Sequence, residues 1–405
     1  MSTVLISFIG RTPKNQDGYR QTVYRFPNGE EHETAYFGWS LAEKRAPDRM
    51  VILGTSGSMW EFLVETQNIP EADDTIINLM EACEKQTVTQ AQLDSVKPLL
   101  NEHCPFELEL GLIPAGSEPV DLTSTLEVMS EHVNPDDQVI LDIAHGLRHL
   151  PMLALVCAMM LRRLHGIEIQ HIYYGQYNPD TKLGTVHDLH SMLHLMDWVQ
   201  ALERFDHDGN YGVFAPLLEK EGIPEDRIRC LSEAAYYERL FNLGSAQAKL
   251  NTFMPVLNEP LPGTGALFTE GLKDRLSWAK DKDRGRQQWH QAEFYLKQGD
   301  YPRAAIFGCE AFISSLLESG EAVTDHNQRE NAEQEFRDGL RGDPARRGDY
   351  EELKKIRNSL AHGNRPKKGS QTEKSLKTQQ ALDSTLKKLF SRLRQQPPKR
   401  QSEAS

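Results

Sequence analysis

The chain has 405 residues, enough for two or three domains that each bury a core of their own. Its 39% hydrophobic and 26% charged content is ordinary for a soluble globular protein, and no apolar run reaches the ~18 residues a membrane span requires. The formal net charge of −13 argues against a uniformly basic nucleic-acid binder, yet residues 365–405 carry 11 Lys and Arg against 3 Asp and Glu, so contact with nucleic acid is expected only near the C-terminal end. The five cysteines (Cys83, Cys104, Cys157, Cys230, Cys309) are scattered and odd in number, with no Cys-x-x-Cys, which argues against a disulfide framework or a structural zinc site. The N-terminus has no basic n-region and Val4–Ile9 is too short for a secretory signal, so a cytoplasmic location is expected.

Val4-Leu5-Ile6-Ser7-Phe8-Ile9-Gly10 reads as a first strand that ends in glycine. A hairpin-like piece at 22–26, with its turn at Pro27-Asn28-Gly29, decorates the first crossover. Strand-like runs at 49–55, 106–113, 138–143 and 168–174 then alternate with helical patterns at 34–46, 59–67, 74–100, 122–133 and 148–165. This alternation predicts an α/β domain built on a parallel sheet with helices on both faces.

Open α/β sheets bind ligands beyond the C-terminal ends of their strands. Three candidate loops occupy such positions: Gly10-Arg11-Thr12 after the first strand, Thr55-Ser56-Gly57-Ser58 after Met50–Leu53, and Asp142-Ile143-Ala144-His145-Gly146 after Val139–Leu141. Small residues let backbone N–H groups approach a phosphate or ribose, and hydroxyls add donors. Arg148 offers a cation close to His145 and Gly146. A Rossmann dinucleotide site is the alternative, but Gly-x-Gly-x-x-Gly is missing after the first strand and no P-loop motif exists. His187, His190 and His194 raise a metal reading, since the last two are four apart on a helical pattern. The Glu of His-Glu-x-x-His is absent and no third ligand is obvious, so they are read as surface or interface histidines and no metal is expected.

From about residue 190 the strand signals fade. Leu193–Phe205, Tyr211–Lys220 and Arg227–Leu250 read as helices, with Asn258–Gly265 as a loop. Ala292–Lys297, a Gly299-Asp300 break and a second helix running through Cys309-Glu310-Ala311-Phe312-Ile313 form a helix pair. The spacing of Tyr350, Leu353, Ile356 and Leu360 predicts an amphipathic helix that carries Arg357-Asn358-Ser359-Leu360-Ala361-His362. An Arg and a His five apart diverge by roughly 140° on a helix. They converge on one phosphate only if the helix end loosens at Ala361-His362-Gly363. A fixed cation beside an imidazole suits phosphodiester cleavage. The same residues also read as a plain helix C-terminus, with a dipole-favoured His and a Gly363 stop.

Arg-x-x-x-x-His with Asn directly after the Arg resembles the signature of HEPN ribonucleases, all-α domains that cut RNA without metal, over about residues 285–395. Asp142-Ile143-Ala144-His145-Gly146 resembles the Asp-x-Thr-His-Gly motif of CRISPR-associated CARF proteins, which sense cyclic oligoadenylate; Ala144 replaces the Thr. Gly10, the Thr55–Ser58 loop, Ile172-Tyr173-Tyr174-Gly175 and Asp188-Leu189 match the same family over roughly residues 1–205. The whole chain resembles the CARF–HEPN ribonucleases of type III CRISPR systems.

That resemblance implies a Rossmann-like α/β CARF domain at 1–205 and an all-α HEPN domain at 281–395; the helical patterns between them read as an all-α connector at 206–280, and the charge and composition of 396–405 as a disordered basic tail. It implies a cyclic oligoadenylate activator, with cyclic tetra-adenylate favoured, and no cofactor. Gly10, Arg11, Thr12, Thr55, Ser56, Gly57, Ser58, His145, Gly146 and Arg148 are the expected ligand contacts. Attack of the RNA 2′-OH on the adjacent phosphate would leave a 2′,3′-cyclic phosphate and a 5′-OH. Arg357 would stabilise the pentacoordinate charge, His362 would move the proton, and Asn358 would orient the His or cap the helix. Lys354, Lys355, Arg365 and Lys367 would line the approach of single-stranded RNA. One Arg–His pair per chain implies a homodimer or a higher even-numbered oligomer, with the cyclic ligand on the two-fold axis shared by two chains. A CARF regulator with an inactive helical domain and a Rossmann-type nucleotide enzyme are the alternatives.

Overall fold

The computed structural model describes residues 2–12, 14–15, 18–67, 69, 74–116, 118–145, 150–178, 180–181, 183–317, 325–339 and 344–395. The chain divides into two compact units, Met1–His194 and Leu195–Ser405.

The first unit contains β1 (Thr3–Ile9), β2 (Lys14–Asn15), β3 (Gly18–Tyr19), β4 (Thr22–Arg25), β5 (Glu31–Thr34), α1 (Phe37–Arg45), β6 (Arg49–Gly54), α2 (Glu61–Thr66), α3 (Asp74–Lys85) and α4 (Gln90–Asn101). It continues through β7 (Glu107–Leu112), α5 (Pro119–Glu131), β8 (Gln138–Asp142), α6 (Leu150–Leu164), β9 (Glu168–Asn178) and β10 (Leu183–Asp188). β1 and β6 are buried along almost their whole length, as strands covered on both faces must be, which is why they read as unbroken apolar runs. Alternate residues feed two cores: Leu5, Met50, Ile52, Ile140 and Tyr173 on one face, Val4, Ile6, Val51, Leu141 and Ile172 on the other.

Eight of the ten described strands form one sheet in the order β5-β4-β10-β9-β8-β1-β6-β7, and β2 pairs with β3 apart from it. The stretch β9-β8-β1-β6-β7 is parallel throughout. The other edge departs from the expected parallel sheet: β10 runs antiparallel to β9, β4 parallel to β10, and β5 antiparallel to β4. β10 escapes a pattern search because Leu183, Gly184 and Val186 are its only residues without a polar side chain. The hairpin at 22–29 forms as expected, but it extends the main sheet through β10. The pattern at 74–100 is two helices, interrupted where Gln86 adopts a positive φ of 55° and Thr89 caps α4.

The order of strands locates a crevice. From β1 the chain steps outward through β6 and β7, then returns to the opposite side of β1 for β8 and moves outward again to β9. The reversal falls between β1 and β8, and sheets of this kind open beyond the C-terminal ends of strands at such a point.

The second unit is helical: α7 (Ser191–Asp208), α8 (Ala215–Lys220), α9 (Glu225–Arg239), α10 (Leu243–Phe253), α11 (Thr269–Leu276), α12 (Arg284–Lys297), α13 (Tyr301–Ser315), α14 (His326–Arg337), α15 (Pro344–His362), α16 (Gln371–Ser375) and α17 (Gln379–Arg394). The Arg227–Leu250 pattern is again two helices, broken at Phe241 with φ 61° and restarted by an Asn242 cap. The Gly299-Asp300 break forms as expected, with Asp300 capping α13. One hydrophobic core gathers residues from both sides of position 280, including Tyr211, Leu231 and Trp278 with Trp289, Phe312 and Leu389. Residues 396–405, expected as a disordered tail, lie outside the described residues. Among the described residues no helix is long and apolar enough to cross a membrane.

A buried ion pair ties this unit together. Glu238 of α9 accepts from Arg275 of α11, from Tyr295 of α12 at 2.8 Å and from Tyr211 at 3.2 Å. The Arg275 and Glu238 side chains are each 2% exposed, so neither charge has water to fall back on. Glu238→Gln is expected to lower unfolding stability by about 3 kcal/mol, measured by urea denaturation, because Arg275 is left without its counter-charge. A loss of under about 1 kcal/mol would show that the pair is dispensable.

Candidate functional site

The site of the first unit grows from three strand ends. β8, β1 and β6 lie side by side, so their C-terminal loops are neighbours. The β1 and β6 loops are tied to each other: Met59 N–H donates to the Gly10 carbonyl at 2.9 Å, Ser58 Oγ to the Ile9 carbonyl at 2.7 Å, and Arg11 to the Gly57 carbonyl at 3.3 Å. Ser58 also accepts from the Thr55 N–H at 2.9 Å. Ser58 is buried and its hydroxyl is committed to this framework, whereas Thr55, Ser56 and Gly57 are partly exposed and Arg11 is exposed. Gly54 lets the loop pack closely; a Cβ there would sit 2.6 Å from Ile9 and 2.7 Å from Trp60.

At the β8 end, Asp142 is 0% exposed. Its carboxylate accepts from Ser7 Oγ at 2.6 Å and from the Ala144 N–H at 2.9 Å. Ser7 in turn accepts from the Tyr36 hydroxyl at 2.7 Å. His145, partly buried, accepts at Nε2 from the Phe37 N–H of α1 at 3.1 Å, so one ring nitrogen is already engaged. The expected ligand residues Gly146 and Arg148 lie outside the described residues. Ser7, Tyr36 and the start of α1 were not singled out from the sequence. The signal present was Ser7 itself, a hydroxyl inside an otherwise apolar strand. A surface hollow of about 780 Å³ lies at the opposite sheet edge, where Asp48 and Glu107 precede or begin β6 and β7, and none of the candidate ligand residues lines it.

Burial pushes the Asp142 carboxyl up to about 7, against the pull of the hydrogen bonds from Ser7 and Ala144. Burial pushes the His145 imidazole down to about 4. Burial thus shifts both groups toward their neutral forms. Tyr24 and Tyr36 beside Asp142 are raised by burial and then by that carboxylate.

In the second unit, α15 buries Tyr350, Leu353 and Ile356 at 0% exposure. Arg357 is half-buried, and its guanidinium acts on the buried Cys309 thiol of α13. Burial pushes that thiol up to about 12, opposed by Arg357. Asn358 is half-buried and His362 is exposed. The helix does not loosen before its end: it runs regularly through His362 and stops at Gly363, whose φ is 64°. Arg357 and His362 thus remain roughly 140° apart around the axis. Among the expected RNA-facing cations, Lys355, Arg365 and Lys367 are exposed, whereas Lys354 is paired with Glu333 of α14. Burial raises the Glu333 carboxyl, but hydrogen bonds from Lys354 and Tyr350 outweigh it and hold the group below the usual range. Among the described residues no three His, Cys, Asp or Glu side chains group as a metal site.

Residues 4–179 match the family model for the CARF domain of the CRISPR system endoribonuclease Csx1. The chain is also similar to CRISPR-associated protein MJ1674 of Methanocaldococcus jannaschii, with 24% identity over 284 residues. That match takes in 64% of this chain and 44% of the relative, so the chain spans less than half the length of the curated relative it matches. Over residues 4–179 the N-terminal unit is thus similar to the CARF domain of Csx1-type CRISPR proteins.

The two shifted groups give opposite pH slopes. Asp142 keeps a proton that the unfolded chain, with its carboxyl near 3.8, releases; it costs stability as pH rises from about 4 to about 7. His145 stays neutral where the unfolded imidazole, near 6.5, takes a proton; it costs stability as pH falls from about 6.5 to about 4. Between about pH 4 and 6.5 the two nearly cancel. Asp142→Asn should unmask the His145 slope, so that the urea midpoint climbs with pH in that window relative to the unsubstituted chain. His145→Gln should unmask the reverse slope. Identical pH profiles for both variants would show that neither group is buried in the way described.

Proposed function

We propose that this chain is a CRISPR-associated endoribonuclease that cuts single-stranded RNA when its CARF domain binds cyclic oligoadenylate. The observation that carries the reading is the Asp142–His145 turn at the reversal of strand order in a domain matched to Csx1. Gly10–Thr12, Thr55–Gly57 and His145 come from adjacent loops there, where backbone N–H groups and hydroxyls suit a nucleotide's phosphates and riboses.

In the helical unit the substrate's 2′-OH attacks the adjacent phosphate. His362 takes the proton from that hydroxyl or gives one to the departing 5′-oxygen, and Arg357 stabilises the charge that accumulates on the phosphate. The bond from phosphorus to the 5′-oxygen breaks, leaving a 2′,3′-cyclic phosphate and a 5′-OH. No metal takes part. The divergence of Arg357 and His362 on a regular helix supports a composite cleft made by two chains. An exposed stripe on α6, with Met152 75%, Val156 54%, Met160 43% and Leu164 66% exposed at four-residue spacing, supports the same pairing of chains.

Labelled RNA incubated with the protein should be cut only when cyclic tetra-adenylate or cyclic hexa-adenylate is present, and EDTA should not inhibit. Indifference to both rings would remove the sensor reading. Arg357→Ala and His362→Ala should each lower the activated rate by ~100-fold or more while leaving oligoadenylate affinity within about twofold. Full activity in His362→Ala would place the chemistry elsewhere.

A further inference from the structure

The turn after β8 is fastened to the beginning of α1 at two points. A chain of hydroxyls runs from Tyr36 to Ser7 and ends on Asp142, with steps of 2.7 and 2.6 Å, and the same carboxylate holds the Ala144 N–H at 2.9 Å. One residue further along α1, the Phe37 N–H donates to His145 Nε2 at 3.1 Å. Ser7, Tyr36 and Asp142 are each 0% exposed. The first turn of α1 lies so close to Ser7 that a Cβ on Gly38 would come within 2.1 Å of the Ser7 oxygen.

Nothing about filling a core calls for this arrangement. Phe in place of Tyr36 and Ala in place of Ser7 would occupy nearly the same space without desolvating two hydroxyls. A buried, directional chain does something else: it holds Ile143–His145 in one geometry. These groups are bonded to one another, so a rotation of the turn would leave a buried polar group without its partner.

We propose that Tyr36, Ser7 and Asp142 are positioning residues that preorganise the Ile143–His145 turn for its nucleotide ligand. This rests on the reading of that edge as the oligoadenylate site. A turn already held in its bound geometry has little ordering entropy left to lose, so affinity depends on side chains that never touch the ligand.

The test uses the full-length chain with Tyr36→Phe and Ser7→Ala, both close to isosteric. The first readout is hydrogen exchange of the Ala144 amide without ligand, which is expected to speed up about tenfold or more in each variant. The second is RNA cleavage titrated with cyclic tetra-adenylate. Half-activation should need about tenfold more ligand, with the rate at saturation unchanged. The double variant should be no worse than Ser7→Ala, because one chain is broken in both. Unchanged Ala144 exchange overturns the proposal, as does faster exchange with an unaltered half-activation concentration. If the unsubstituted chain ignores cyclic tetra-adenylate while exchange still rises in the variants, the ligand assignment falls and the positioning of the turn stands.

Discussion

A carboxyl group buried at the reversal of the strand order constrains much of the first unit. Asp142 has no access to water, and among the described residues no Lys or Arg pairs with it. Its solvation must therefore come from neutral donors, which fixes a hydroxyl inside β1, a tyrosine at the start of α1 and a backbone N–H two residues further on. Close approach follows from the same demand. Gly38 admits α1 to Ser7, and a Cβ on Gly175 would meet Tyr24 at 2.6 Å and Ala144 at 3.3 Å. Ala144, standing where the related motif has a Thr, faces this crowded spot.

The helical unit solves a different problem. Its described core is continuous, and the Glu238–Arg275 pair with Tyr211 and Tyr295 pins segments from both sides of residue 280 to each other. That rigidity gives α15 a fixed seat, with Phe312 stacked on Tyr350 at 4.8 Å. Lys354 is held by Glu333 and Arg346 by the Leu393 carbonyl, so these two cations of the helix have partners within the chain. His362 lies at the exposed end of the helix, directly before Gly363.

Much of the fold was legible because period and punctuation agreed. The strands β1, β6 and β8 are largely buried apolar runs, and the Gly299-Asp300 break and the Gly363 stop use chemistry that local sequence specifies. The misses have a common cause in residues whose role is set by distant neighbours. β10 is an alternating strand with little apolar content, and the breaks at Gln86 and Phe241 occur in residues that do not ordinarily favour positive φ. At the site, strand ends and loops were readable from glycines and hydroxyls, and Asp142 stood out. The partnership of Asp142 with Ser7 and Tyr36 was not readable, since it joins residues 135 and 29 positions apart through the fold alone. The condition for Arg357 and His362 to converge within one chain, a loosened α15 end, is not met: the helix persists up to the glycine.

Binding stoichiometry tests the central claim most directly. Calorimetric titration of the protein with cyclic tetra-adenylate measures affinity and the number of chains per ring in one experiment. A ring held by the β1, β6 and β8 loops of two symmetry-related chains should bind with one ligand per two chains. One ligand per chain would contradict the shared site, and no binding of either cyclic tetra-adenylate or cyclic hexa-adenylate would contradict the assignment of the crevice itself.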